Sequence, residues 1–341
     1  MILRPPSSPS RPGARPAGAA DAPRATVPAW LRRAVADPQS LAGQDVQDVA
    51  ILAGAALGAL DAVVRRQEPW AGVWRQRLAL TAAAVTARQG GRVEEEAALR
   101  DAVLLTRPGD DVGPAGRLLL AWRRLAARPA AELVEEEGLA AVLDEFGYAG
   151  DDEAAGDLAG DLRQVLARAG LVGVPTGAAM AADRHGFGRA VGAWFADVLL
   201  AQRLGWSHAV PLLGTEAALD MNADRRRRAD TEVDASPTGK ETILAKSLLA
   251  GQARAALRAI DLSAELGRRA ERLLAVAPKL RAKGADRVID RLLNEDALAA
   301  SRGERNAGMS DRGLRRLFDR LVALDGVREL SGRAAFRIYG L

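Results

Sequence analysis

Metal binding, proton transfer and nucleophilic attack draw on histidine, cysteine, clustered acids or an activated hydroxyl, and this sequence supplies few of them. It has no cysteine, which removes disulfides and thiolate metal sites. Its two histidines, His185 and His208, stand in neither HExxH nor ExxH spacing, so helical zinc and di-iron carboxylate sites lack their ligands. Each is expected to be a hydrogen-bonded structural residue. The acid pairs Asp110-Asp111 and Asp151-Asp152 fall in loop-like stretches and are expected to be solvated. Thr238-Gly239-Lys240 has the ending of a phosphate-binding loop, but Asp234 occupies the place of its upstream glycine and Glu241 that of its Ser or Thr. No catalytic residue, cofactor or metal is expected.

Arginine is the one residue type whose spacing carries a chemistry. Ser310 is a good N-cap, and the helix it opens is predicted to run to about Leu324. Leu314, Leu317, Phe318, Leu321 and Leu324 recur at helical spacing and make one apolar face, with Arg312, Arg315, Arg316 and Arg320 on the other side beside Asp319. Gly326 ends the helix. Val327–Leu330 and Ala335–Tyr339 then read as two short strands around the turn Ser331-Gly332-Arg333. With Asp286–Leu293 as a first helix and Asp296–Ser301 as a second, the order is that of a winged helix with a hairpin wing. In such a unit the third helix enters the major groove and basic residues meet phosphates. Arg312, Arg315, Arg316, Arg320, Arg333 and Arg337 are the candidate contacts. Residues 310–341 carry seven arginines against four acids, whereas the whole chain has 48 Lys and Arg against 44 Asp and Glu, so the basic excess is local. Double-stranded DNA is the expected partner. A protein partner or self-association is the alternative, and an enzyme within the helical body comes last.

The elements that must position this face are helical. Hydrophobic residues make up 48% of the 341, but aromatics only 4%, and alanine and leucine dominate where β-branched residues are scarce. The fold class is therefore mainly α, a multi-helix bundle or array with a C-terminal winged-helix-like domain. Residues 1–28 form a Pro- and Arg-rich tail expected to be disordered. Residues 29–222 form the helical body, 223–238 a linker carrying Arg225–Arg228, 239–284 a helical connector and 285–341 the winged-helix-like domain. Within the body, Asp45–Arg66 and Trp70–Gln89 are long helices. Gly54 and Gly58 are expected to permit close backbone packing, and Trp70 and Trp74 to anchor the core. The stretch to His185 is punctuated by glycine, and a further helix reaches Leu204. The connector reads as two helices, Glu241–Ile260 and Ser263–Lys283, the second bent or broken at Pro278. The most apolar run, Val49–Leu60, lies between two aspartates and is shorter than the roughly 20 residues a bilayer requires. No membrane association is expected, and the location is read as cytoplasmic.

Two likenesses follow from particular residues. His185-Gly186-Phe187 resembles the opening of the motif in Fic-type AMP-transferring enzymes. Gly188-Arg189-Ala190-Val191 then stands where that motif has its phosphate-cradling Gly-Asn-Gly-Arg, so the activity is not expected. Three blocks carry the wider likeness: Trp70–Leu78, Glu95–Ala102, and the ending from Met309–Arg312 through Gly332–Leu341. On these the whole ordered chain resembles an uncharacterised bacterial family, domain-of-unknown-function family 1403. The resemblance implies no mechanism and hands over no catalytic residue.

Overall fold

The computed structural model describes residues 27–36, 41, 43–148, 152–216, 237–300, 309–333 and 335–341. The Pro- and Arg-rich start, most of the polar linker with Arg225–Arg228, and the link Gly303–Gly308 lie outside the described residues. Among those described are twelve α-helices and three short strands.

Helices α1 (Ala29–Ala36), α2 (Val46–Arg65) and α3 (Ala71–Gln89) come first. Asp45 caps α2 by accepting the Asp48 amide at 2.8 Å, the satisfaction that a helix N-terminus requires. Next are α4 (Glu96–Leu104), α5 (Gly113–Ala127), α6 (Glu136–Glu145), α7 (Asp152–Arg168), α8 (Gly173–Arg184) and α9 (Arg189–Leu204). The long α10 (Pro237–Val276) packs chiefly along α2. Finally α11 (Ala285–Asn294) and α12 (Asp311–Ala323) accompany a three-stranded antiparallel sheet.

The core is continuous from Leu31 to Leu341. Trp122, Trp194 and Phe195 are fully buried at its centre. Their polar edges are satisfied, since Trp122 Nε1 donates to Thr86 Oγ1 at 3.0 Å and Trp194 Nε1 to the Ala121 carbonyl at 2.9 Å. Trp74 is a core anchor as expected, its Nε1 donating to the Ala259 carbonyl on α10 at 2.9 Å.

Five expectations change. The connector is a single helix of 40 residues, because neither Gly nor Pro interrupts it between Ile260 and Ser263. Asp261, which lies between the two expected helices, faces outward and pairs with Arg32 at 2.7 Å. Pro278 terminates that helix in the 3-10 turn Ala277–Lys279. The glycine-punctuated stretch before His185 is helix α8. Packing overrides its low propensity, for a Cβ at Gly177 would sit 2.8 Å from Val165 and one at Gly192 would sit 3.1 Å from the Ala179 backbone.

Close approach through glycine therefore belongs to α7, α8 and α9. At Gly54 and Gly58 an added Cβ meets nothing within 4 Å, and these two residues line an open groove of about 290 Å³ with Leu57, Leu171, Leu204 and Leu249. By length and composition α2 is also apolar enough to cross a bilayer, with a mean hydropathy of 1.6, which corrects the reading of Val49–Leu60 as the full apolar run. Val49, Leu52, Ala53, Ala56, Leu57, Leu60 and Val63 of this helix are buried in the core.

The fifth change is at Asp296–Ser301, expected as helix. It contains β1 (Leu298–Ala299), whose residues pair with Tyr339 and Ile338 of β3 (Ile338–Gly340). The other edge is β2 (Arg328–Glu329), so the sheet order is β1-β3-β2. Tyr339 stacks on Phe318 of α12 with ring centroids 4.4 Å apart and planes 7° from parallel, which seats α12 on the sheet.

Candidate nucleic-acid interface

Helix α12 forms where the sequence placed it. Ser310 Oγ accepts the Gly313 amide at 3.2 Å, and Leu314, Leu317, Phe318 and Leu321 are buried. That burial fixes the rotation of the helix and leaves Arg312, Arg315, Arg316 and Arg320 exposed on its outer side. Among the described residues none of these four guanidinium groups enters an ion pair. Arg328 of β2 is also exposed in the same terminal unit.

The hairpin arginines are placed differently. Arg333 makes a bidentate pair with Asp101 of α4 at 2.6 and 2.7 Å, and the Asp101 hydrogen bond holds its pKa above the ordinary arginine value. Its charge is spent on the helical body, so it does not join the open set. Arg337 is exposed, and its Nε donates to the Arg333 carbonyl at 3.2 Å. Its pKa is raised by a hydrogen bond to Tyr339 first, then by the charges of Tyr339, Glu329 and Asp319.

A buried ionic knot, invisible in the sequence, ties this unit to the body. Asp296, just ahead of β1, is fully buried and receives Arg100 Nε at 2.5 Å and Arg77 Nε on its other oxygen. Burial pushes its carboxyl up, but the two guanidinium groups outweigh that and hold it below the ordinary aspartate value. Arg77 also reaches the Leu341 carbonyl at 3.3 Å, and Arg269 of α10 reaches it at 3.2 Å. Arg123, close enough to feel both Asp296 and Glu295, is pulled down by burial.

The other sequence candidates fall apart from this face. His185 Nε2 lies 2.9 Å from Asp161 Oδ2, and Arg184 pairs with the same carboxylate. Nδ1 of His208 meets Ser207 Oγ at 3.1 Å, and burial lowers this imidazole's pKa. Asp110 is exposed, and Asp111 accepts the Gly113 amide at 3.0 Å. Among the described residues no group of three His, Asp or Glu could hold a metal ion. Asp197 on α9 is pushed up to about 7 by burial although it accepts the Leu212 and Leu213 amides at 2.8 and 3.1 Å. Its surroundings are the turn Leu213–Thr215 and the core, so it organises a loop.

No curated protein matches this chain. The family described as protein of unknown function (DUF1403) matches residues 18–341, nearly the whole sequence and all three blocks on which the likeness rested. The chain is a member of the DUF1403 family.

Proposed function

We propose that this protein binds double-stranded DNA through its terminal unit, a winged helix in which α12 is the recognition helix and the hairpin between β2 and β3 is the wing. The observation that carries the reading is the outer side of α12, where Arg312, Arg315, Arg316 and Arg320 are exposed without an ion pair among the described residues. Exposed guanidinium groups held on a rigid helix suit phosphate oxygens, and a helix has the width to enter the major groove. Support also comes from the chain order: α11, β1, α12, β2, β3, with the sheet ordered β1-β3-β2. Residues 301–308, between β1 and α12, lie outside the described residues. Reversing Arg315, Arg316 and Arg320 to Glu is expected to abolish a duplex mobility shift. Retention of the shift at wild-type affinity refutes the assignment of α12.

A second reading, a scaffold that works through protein contacts, draws on α2. There Ile51 is 65% exposed on the helix whose Gly54 and Gly58 border the open groove. Recovery of a protein partner lost on Ile51→Glu, with no duplex binding by the wild type, would favour it.

A further inference from the structure

Phe336 is a large apolar side chain left 58% exposed in the β2–β3 loop, two residues ahead of β3. Its backbone has φ 53°, a left-handed conformation that a bulky residue adopts only when its surroundings impose it. Those surroundings can be named. Arg333 grips Asp101 with both terminal nitrogens, and its Nη2 also lies 3.4 Å from the Phe336 carbonyl. At the base of the loop, the Leu330 amide donates to the Ile338 carbonyl at 2.8 Å and the Ile338 amide to Ser331 Oγ at 3.2 Å. The loop is thus stapled both to the body and to itself, and the staple presents a phenyl ring to solvent. A ring that served stability would be turned inward, as Phe318 and Tyr339 are in the same unit.

The position of the ring suggests its use. Its neighbour Arg337 is exposed, and Tyr339, two residues further on, stacks on Phe318 of α12, the helix that carries the arginine face. A polyanionic duplex drawn to that face would bring its base pairs beside an apolar wedge on a rigid loop. Phe is among the residues that enter a base step from the minor groove and bend the helix away. Resting on the DNA-binding reading above, we infer that Phe336 is such a wedge, partly unstacking a base step while α12 holds the adjoining groove. Arg333 then acts as a positioning residue that keeps the loop in place.

The test uses the full chain and a short mixed-sequence DNA duplex labelled at its two ends, read by anisotropy for affinity and by energy transfer for bending. Wild type is expected to bind and bring the ends together. Phe336→Ala is expected to bind about tenfold more weakly and to leave the duplex straight, with Phe336→Tyr restoring both. The ring is exposed, so these changes leave the fold intact, which circular dichroism checks. Wild-type affinity and bend in Phe336→Ala would overturn the wedge while leaving DNA binding in place. Absence of duplex binding by the wild type would overturn both.

Discussion

Asp296→Asn is the substitution whose effect the structure specifies most closely. Asparagine nearly matches aspartate in volume, so no cavity opens, and the change is one of charge and donor count. The carboxylate is wholly buried and takes Arg100 on one oxygen and Arg77 on the other, each arginine side chain being only 11% and 13% exposed. The amide would leave two guanidinium groups without their counter-charge and aim its own N–H at a donor. Breaking a buried pair from one side costs about 3–5 kcal/mol. The lower end applies, since Glu96 remains 3.9 Å from Arg100 as a partial substitute. With an unfolding entropy of roughly 0.7 kcal/mol/K for a chain of this length, Tm should fall by about 4 °C in a circular dichroism melt. The comparison is Asp261→Asn, which loses only the half-exposed pair with Arg32 and should move Tm by no more than about 1 °C. Equal shifts in the two variants would refute the claim that the buried knot holds the terminal unit to the body. Because the folded carboxyl lies below its ordinary value, this stabilisation is present above the unfolded pKa of 3.8 and is lost as pH falls through the folded one.

Three further outcomes are expected. Asp197, raised from 3.8 to about 7, opposes folding once ionised, so its contribution is favourable at low pH and is lost as pH rises towards 7. Between pH 8 and pH 5.5 it should add about 2 kcal/mol of stability, and denaturant titrations of Asp197→Asn should lack that increment. Gly54→Ala should stabilise α2 by about 0.5–1 kcal/mol because its Cβ meets open space, whereas Gly177→Ala, crowding Val165, should destabilise; thermal melts of the two side by side decide it. Asp101→Asn, breaking a pair about one-third exposed on each side, should cost less than about 1 kcal/mol globally yet speed amide exchange at Leu330 and Ile338.

What could be read from the sequence was local. The cap at Ser310, the apolar spacing after it and the opposed arginines lie within fifteen residues of one another, and the structure reproduces all three. Long-range pairings could not be read. Asp296 looks like any solvated acid until Arg77 and Arg100 arrive from 219 and 196 positions away, and Arg333 looks like a free cation until Asp101 arrives from 232. The break expected between Ile260 and Ser263 had no glycine or proline to cause it, and Asp261 there finds its partner in Arg32. Glycines misled in both directions. Those of α8 and α9 are there for contact with Val165 and Ala179, while the evenly spaced pair in α2 faces open space. Spacing alone does not say what lies opposite.

Duplex binding as a function of salt is the most direct measurement of the proposal that α12 meets phosphates. Four arginines neutralising four phosphates give a slope of about −3.6 for log K against log salt. Anisotropy titrations at several salt concentrations should return a slope near that value, and the Arg315, Arg316 and Arg320 reversal should lose measurable binding. A salt-independent affinity, or a reversal that binds as the wild type does, would contradict it.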